Sequence, residues 1–561
     1  MKVSELKYER VTIETLEREV RDIIRTIKEA ACVEEVLAAR DRYNALSREY
    51  STANALSYMR YTINTVDPFY LREKDYYDEI GPAASNLNLE YSKALMESRF
   101  RPELEKRLNP LLFRSMENTM KSMSPEIIEE MIEENKLVSE YSQLMASMEF
   151  NFRGKSMSRA MLMGYANDDD RETRRECYEV LGTTLAKHAD QLDRIFDDLV
   201  HVRDRMAKKM GYKNFVELGY YRMNRLCYDE EMIRQFRENV KNDLVPVVSR
   251  LRTENAKRLG IDKFMLYDLG VIIPGGDPKP YGKDEIFAAA KEMYRSMSEE
   301  TGAFIDMMLE NEAFDVEARK NKWGGGYCTE FLKYHQPFIL ANFNGTADDV
   351  DTMTHEVGHA LNDYLCFDNE YAMELGCGGM ETAETHSMSM EFFAWPYMEK
   401  FFGENAAKYR YRHAMDTFSF IPYGTIVDYF QHIVYENPDM TPAQRNAAWL
   451  ELEHQFRPHI SMEGIPYLEK GTRWQYQMHI YETPFYYIDY CLAQTAAFQF
   501  LLASLKDYDA AFTNYMHLSH QGGEKLWTEL LKEAGLKSPF EEAALKDIAV
   551  NIENLLNDLA Q

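Results

Sequence analysis

Apolar residues recur at three- and four-residue intervals along most of this 561-residue chain, separated by dense charges. In the first such stretch, residues 11–137, the run begins with Leu16, Val20, Ile23, Ile24 and Ile27. This spacing puts apolar side chains on one face of a helix, and it recurs over 172–206, 229–258 and 284–311. Only 27 glycines and 18 prolines are present to form turns. The sequence therefore predicts a mainly α fold.

The length of the chain predicts how many lobes it forms, and its net charge excludes some classes of partner. At 561 residues and 45% hydrophobic it can bury a large core, and it exceeds what one compact core usually supports, so we expect two or more lobes. The clearest break is the proline- and glycine-rich stretch 274–283, which divides the chain into a helical region 1–275 and a second region 276–561. A net charge of −28 opposes binding to nucleic acid and to anionic membrane surfaces.

The seven cysteines are odd in number and scattered, and no two have the spacing of a CxxC pair. This usage is typical of reduced thiols rather than of a disulfide framework. The N-terminus lacks the apolar segment of a signal peptide, and no later stretch has the ~18 apolar residues of a membrane span. These features predict a cytoplasmic protein.

The helical residue pattern ends before Gly324-Gly325-Gly326. After these glycines, two short runs, 327–332 and 337–343, have the composition of β-strands. We expect a β-hairpin or a small sheet here. Asn344-Gly345 ends the second run, and Thr346 with Asp349 three residues later has the spacing of a helix cap.

The helix predicted to begin at Thr346 carries His355-Glu356-Val357-Gly358-His359. Two histidines four residues apart point the same way, which suits two imidazole nitrogens about 2.0–2.1 Å from one zinc ion. Glu356 follows the first histidine and can reach a water beside such a metal. Two ordinary surface histidines are the alternative, but a glycine inside a helix costs roughly 1 kcal/mol unless close packing requires it, and Gly358 is such a glycine.

A catalytic zinc site needs a third protein ligand and an open position. The helix predicted over 380–398 offers Glu381, Glu384 and Glu391. Glu384 and Glu391 are seven residues apart and share a face, so one can ligate while the other supports a ligand histidine from behind. Spacing alone leaves Glu381 and Glu384 both open, whereas His386 lies on a different face from Glu384.

A second cluster, residues 479–490, is unusually rich in tyrosine. On a helix beginning near Pro484, Tyr487 and Tyr490 fall on one face, and a phenol O–H can donate to a tetrahedral intermediate. Aromatic packing between two helices explains the same composition.

Two strings together resemble one family: His355-Glu356-Val357-Gly358-His359, and the run from Glu384 to Phe393, which reads ETHSMSMEFF. They are similar to the thimet oligopeptidase and oligoendopeptidase F family of zinc metallopeptidases, and the chain looks closest to the shorter bacterial oligoendopeptidase F type. The resemblance implies one Zn²⁺ per chain, held by His355, His359 and Glu384, with Glu391 and Asp351 supporting the ligands from outside. It also implies a two-lobed helical ellipsoid with a deep central channel, a small sheet beside the zinc-binding helix, and short peptides as substrates.

The tyrosine-rich cluster is similar to the His and Tyr-x-x-Tyr stretch of this family and of angiotensin-converting enzyme. The resemblance implies that Tyr490 stabilises the transition state and that His479 and Tyr487 contact the substrate. The spacing between His479 and the tyrosines leaves Tyr486 and Tyr481 open for the same roles.

The sequence thus predicts a zinc-dependent metalloendopeptidase that hydrolyses internal bonds of short peptides, with Glu356 as general base. An extended substrate is expected to pair with the strand 338–343. One alternative is a metallocarboxypeptidase or dipeptidyl carboxypeptidase of related helical fold, for which Arg473 is the candidate cation that holds the substrate carboxylate. A non-catalytic peptide-binding protein is the other alternative.

Overall fold

The computed structural model describes residues 1–376 and 378–560, so Cys377 and Gln561 lie outside the described residues. The mainly α fold is confirmed, because helices make up most of the described chain. The helices of the first region are α1 (Ile13–Glu29), α2 (Val33–Ile63), α3 (Pro68–Met96), α4 (Arg101–Arg107), α5 (Pro110–Ser122), α6 (Ile128–Ser147), α7 (Arg159–Met163), α8 (Arg171–Lys187), α9 (Ala189–Lys209), α10 (Phe215–Arg222), α11 (Glu230–Asn239) and α12 (Val245–Arg258).

The helices of the second region follow the long loop around 274–283. They are α13 (Lys283–Met297), α14 (Glu299–Glu310), α15 (Asp348–Cys366), α16 (Ala372–Leu375), α17 (Met380–Phe393), α18 (Glu399–Phe402), α19 (Ala406–Glu436), α20 (Pro442–Phe456), α21 (Met478–Glu482), α22 (Tyr487–Ser504), α23 (Tyr508–His520), α24 (Trp527–Glu533) and α25 (Lys546–Leu559).

Two predicted helix boundaries need correction. α15 begins at Asp348 rather than at Thr346, because Asn344 takes hydrogen bonds from Thr346 and closes a turn there. The Asp349 carboxylate instead accepts the backbone N–H groups of Asn344 and Gly345. α17 ends at Phe393 instead of continuing to 398, because Pro396 lies in the tighter turn that follows.

The predicted hairpin is present as the antiparallel pair β4 (Tyr327–Phe331) and β5 (Gln336–Phe343). A strand that the sequence analysis did not predict, β3 (Phe314–Glu317), pairs in parallel with the other side of β5. A separate hairpin joins β1 (Phe150–Phe152) to β2 (Lys155–Met157). Since β5 has a neighbour on each side, the prediction that a substrate pairs with 338–343 is wrong, and the free edges of this sheet belong to β3 and β4.

The largest hydrophobic cluster contains residues from both sides of position 275, from Val3 to Leu556. A smaller cluster unites α1, α3 and α5. Cys32, Cys177, Cys227, Cys328, Cys366 and Cys491 are free thiols. Among the described residues, no helix has both the length and the apolarity needed to cross a membrane.

Candidate metal centre and active site

Helix α15 presents two faces to its surroundings. Val350, Met353, Val357 and Leu361 are buried against the core, while the side chains of His355 and His359 keep about a fifth of their surface exposed. Gly358 faces α17: a Cβ there would lie 2.7 Å from Cα of Ser387 and 2.9 Å from the carbonyl oxygen of His386. The missing side chain at Gly358 therefore allows α15 and α17 to approach closely enough for their polar residues to meet.

Three side chains converge across this contact. Nε2 of His355 lies 3.3 Å from Oε2 of Glu384, and Nε2 of His359 lies 3.4 Å from the same oxygen. Ligand atoms about 2.05 Å from a tetrahedral zinc ion are about 3.3 Å apart. The two histidine–carboxylate distances therefore fit a zinc ion, and all three donor atoms lie within 4.8 Å of one another.

The two acidic residues that spacing left open, Glu381 and Glu384, point to different places. Glu384 reaches both histidines, and it also accepts hydrogen bonds from Ser387 at 3.1 Å and from Tyr486. Glu381 accepts from the Cys227 thiol at 3.4 Å, and its pKa is raised to about 7 by burial and by the nearby Asp489 carboxyl. Only Glu384 belongs to the histidine cluster.

Glu391 joins two histidines. Its Oε1 lies 2.7 Å from Nδ1 of His355, and its Oε2 lies 2.7 Å from Nε2 of His413. Burial opposes ionisation of Glu391, but the two histidine hydrogen bonds bring its pKa below its ordinary value. A carboxylate accepts only, so in a neutral His355 the proton lies on Nδ1 and Nε2 presents a lone pair to the cluster.

The sequence analysis missed His413. The indole N–H of Trp395 donates to Nδ1 of His413 at 3.0 Å, so the proton of a neutral His413 lies on Nε2, facing Glu391. His413 lies on α19, 22 positions beyond Glu391 and on a different helix. No spacing rule in the sequence links residues at this separation.

Asp351 lies further from the cluster than Glu391. Its carboxylate accepts a hydrogen bond of 2.5 Å from Tyr409 and pairs with Arg412. The Tyr409 ring stacks on His413 at 5.5 Å. Asp351 is thus connected to His355 through Tyr409, His413 and Glu391.

Glu356 is buried beside the cluster, and burial raises its pKa. Its Oε2 has no hydrogen-bond partner in the part of the chain that the structure describes. A buried carboxylate oxygen without a partner carries a desolvation cost, which a water or a substrate group can relieve.

The tyrosines of 479–490 divide into two groups. Tyr486 and Tyr490 are partly exposed with ring centroids 5.0 Å apart, and Tyr490 lies 5.9 Å from the His479 ring. Tyr487 is buried, with its ring 4.8 Å from His479. Tyr481 is fully buried, stacks on Tyr141 at 3.9 Å and donates to the Leu192 carbonyl. The prediction that Tyr481 contacts substrate is therefore wrong, because its ring belongs to the core.

Arg473 already has partners. It is 13% exposed, lies 3.2 Å from Glu453, and stacks over the Tyr423 ring at 4.0 Å. A cation held in this way is a poor candidate for binding the carboxylate of a substrate.

A second group of potential ligands consists of Glu230, His432 and Glu436. Arg234 lies 3.4 Å from Glu230, and burial together with nearby arginines lowers the pKa of His432 well below its ordinary value. The local positive charge that depresses this pKa also opposes a metal cation.

Comparison with known families agrees with this geometry. A model of the Peptidase M3 N-terminal domain matches residues 3–123, and a model of Peptidase family M3 matches residues 164–271 and 290–550. The chain belongs to peptidase family M3. This confirms the resemblance found from the two strings in the sequence.

Solved structures of similar proteins match over all or nearly all of the chain. The structure of PZ peptidase A with an inhibitor is 42% identical, covers 99% of both chains and has a TM-score of 0.96. A proposed oligoendopeptidase F is 42% identical over the full length of both chains, with a TM-score of 0.97. Oligopeptidase PepF of Bacillus subtilis (strain 168) is 21% identical over 68% of this chain and 56% of its own. The chain thus spans about half the length of that curated relative.

Proposed function

We propose that this M3 peptidase is a zinc-dependent metalloendopeptidase that hydrolyses internal bonds of short peptides. The observation that carries the proposal is the convergence of His355, His359 and Glu384 beside Glu356, whose Oε2 has no hydrogen-bond partner among the described residues. Three donors of this type, with a carboxylate within reach of water, are the parts of a hydrolytic zinc site.

His355, His359 and Glu384 would hold one Zn²⁺. When bound, the ion lowers the pKa of water and polarises a carbonyl oxygen. Glu391 keeps the lone pair of His355 turned toward the ligand cluster, and Tyr486 and Ser387 orient the Glu384 carboxylate.

Glu356 handles the proton in the proposed mechanism. Its carboxylate takes the proton of the attacking water as the water oxygen bonds to the scissile carbon, and the same carboxyl then donates this proton to the nitrogen as the C–N bond breaks. The pKa of Glu356 is raised by burial, which makes the carboxylate a better base than an exposed one.

Tyr490 and His479 supply hydrogen bonds to the oxygen on which negative charge develops. Both are partly exposed and belong to the ring cluster that contacts Glu384 through Tyr486. Donors already in position need no reorganisation when the charge appears. Tyr487 borders the same cluster and is assigned to substrate binding.

The free edge of β4 offers main-chain groups to an extended peptide. Pairing through the backbone does not depend on side-chain identity, so it favours cleavage that tolerates many sequences. The two-lobed channel implied by the family resemblance would restrict access to short, unfolded peptides. No partner other than these peptides is proposed, and a cytoplasmic location remains a prediction.

The first experiment compares wild type, Glu356→Gln and the control Glu129→Gln, which changes an exposed residue of α6. The substrate is a short internally quenched peptide blocked at both ends, and the zinc content of each protein is measured. We expect Glu356→Gln to retain zinc but to cleave ~10²-fold or more slowly, because proton transfer is lost while the ligands remain. The control should match wild type.

Other outcomes separate the alternatives. A wild type that leaves the blocked peptide intact but trims one with a free C-terminus would be a carboxypeptidase. Peptide binding without any cleavage would indicate the non-catalytic alternative.

A further inference from the structure

His479 has a hydrogen-bond partner, Gln477, which has no role in the proposed mechanism. Its ring contacts Tyr486, Tyr487 and Tyr490, and Nε2 has no hydrogen-bond partner in the described part of the chain. The other ring nitrogen, Nδ1, lies 2.9 Å from the amide nitrogen of Gln477. The two ring nitrogens thus have different environments.

Gln477 is itself oriented by Tyr423. The Tyr423 O–H donates to Oε1 of Gln477 at 2.7 Å, which leaves the amide N–H₂ facing His479. The guanidinium groups of Arg473 and Arg457 lie over the Tyr423 ring at 4.0 and 5.2 Å. Cations offer no acceptor and strengthen a phenol as a donor, so they favour this orientation of the amide over the flipped one.

The backbone position of Gln477 agrees with this use of its side chain. Gln477 occupies the residue before α21, where a side chain commonly caps the helix, but its side chain makes no capping hydrogen bond. The side chain instead connects α19, through Tyr423, to His479.

We propose that Gln477, oriented by Tyr423, is a positioning residue that holds His479 in the tautomer with its proton on Nε2. An amide N–H can only donate, so Nδ1 must accept, and the ring hydrogen of a neutral His479 is on Nε2. Nε2–H is then a donor toward the tyrosine cluster, where the oxyanion forms.

The tautomer matters because His479 is neutral near pH 7. Burial lowers the pKa of His479 to about 4, although the charge of Glu384 opposes the shift. A neutral ring in the other tautomer would present a lone pair to the oxyanion, and the interaction would become repulsive. The inference rests on the proposed function, since it assigns His479 as an oxyanion donor.

The decisive variant is Gln477→Glu. A carboxylate accepts from Nδ1–H, so the neutral ring loses its proton from Nε2, and the carboxylate also raises the pKa of His479. We expect kcat to fall ~10²-fold at neutral pH, the cost of one lost oxyanion donor, with a smaller change in KM.

The pH profile distinguishes this role from a structural one. Below the raised pKa the imidazolium carries protons on both nitrogens, so the variant should regain activity as pH falls. Its kcat/KM should decline as pH rises through that pKa, a limb absent from wild type. The double variant Gln477→Glu/His479→Gln should lack this limb.

The variant Tyr423→Phe and a matched control test the hydrogen bond from Tyr423 to Gln477. Tyr423→Phe frees the amide to flip and should lower kcat by about tenfold. Tyr411→Phe removes a phenol from the same helix, where it accepts from Arg258, and should leave kcat unchanged. If the ratio of Gln477→Glu activity to wild-type activity is low but does not change with pH, the inference is overturned.

Nitrogen NMR of the zinc-loaded protein gives a readout that needs no cleavage. The protein is labelled with ¹⁵N-histidine, and the His479 signals are assigned by their loss in His479→Gln. Wild type should show an unprotonated Nδ1 and a protonated Nε2. Gln477→Glu should reverse the two. A protonated Nδ1 in wild type overturns the inference, even if the wild type cleaves peptides. Absence of cleavage with the expected tautomer would instead count against the proposed function.

Discussion

Glu391 joins a histidine of the proposed zinc site to a second histidine through two hydrogen bonds. It accepts from His355 on α15 and from His413 on α19, and His413 is in turn held by the indole of Trp395. Each group in this series has one arrangement of protons that satisfies its neighbours. Outer partners of this kind orient a ligand histidine and raise its basicity.

Replacing Glu391 with Gln should weaken zinc binding by about 10–100-fold, because an amide holds the two histidines less well than a carboxylate does. The measurement is competition with a chelator of known zinc affinity. Glu381→Gln changes a buried carboxyl on the same helix that lies outside the cluster, and its zinc affinity should equal that of wild type. Equal affinities of Glu391→Gln and wild type would show that the hydrogen bonds to Glu391 do not support the site.

The residues of the site differ in how far the sequence predicted them. Four-residue spacing on a helix was enough to pair His355 with His359, and seven-residue spacing put Glu384 and Glu391 on one face. The choice of Glu384 over Glu381 came from the family resemblance and agrees with the geometry. His413 and Gln477 were not predicted, because their roles depend on partners from other helices.

At the scale of elements, the contact between α15 and α17 sets the site. Both helices carry proposed zinc ligands, so their separation determines whether His355, His359 and Glu384 can meet. Gly358 allows the approach, as the main-chain atoms of α17 occupy the space that a Cβ would need.

Gly358→Ala should therefore lower the free energy of unfolding by about 1–3 kcal/mol, the usual cost of overpacking, and should also weaken zinc binding. Urea unfolding and chelator competition measure the two effects. Gly164→Ala is the matched control, since Gly164 has helical φ −57 and ψ −30 with nothing within 4 Å of an added Cβ. A Gly358→Ala protein as stable as the control would mean that the helices can shift without cost.

In the sheet, the sequence predicted β4 and β5 but not the short strand β3 or its pairing. The composition of 327–332 and 337–343 predicted two strands, and both formed. The third strand, β3, has four residues and pairs in parallel, with its partner more than 20 positions away. A strand this short carries little pattern, so its pairing, and with it the central position of β5, could not be predicted.

At the scale of the whole molecule, buried ion pairs connect distant segments. Arg203 on α9 is fully buried and donates to Glu134 on α6 at 2.7 Å, to the Tyr435 hydroxyl at 2.8 Å and to the Tyr481 carbonyl at 2.6 Å. Arg222 donates to the other oxygen of Glu134 at 2.8 Å. This group joins α6, α9 and α10 to the segment that carries His479.

Glu134 makes the stability of the fold depend on pH. Burial alone would raise its pKa, but Arg222 and Arg203 outweigh burial and lower the pKa to about 2. A lowered folded-state pKa stabilises the fold above the ordinary value of 4.5, and this stabilisation is lost as pH falls from there toward 2.

Glu134→Gln should accordingly cost about 3–5 kcal/mol at neutral pH, because Arg203 is left buried without its counter-charge. The difference from wild type should shrink as pH falls below 4.5, as followed by urea unfolding at several pH values. Glu133→Gln is the neighbouring control, since Glu133 pairs with Arg205 at the surface and should change stability little. A difference that is independent of pH would show that Glu134 is not ionised in the folded protein.

The division at 275 remains a prediction, although one hydrophobic cluster includes residues from both sides of it. Contacts between residues so far apart along the chain cannot be predicted from a local sequence pattern.

The sequence by itself determined the helical character of the chain, the His355–His359 pair and the position of Glu356 beside it, because these depend on periodicity within one helix. Tertiary structure alone decided that Tyr481 is a core residue, that β5 lies inside its sheet, that His413 contacts Glu391 and that Tyr423 contacts Gln477. The physical reason is that burial and hydrogen-bond partnership depend on which segments pack together, and spacing along one segment does not specify that packing.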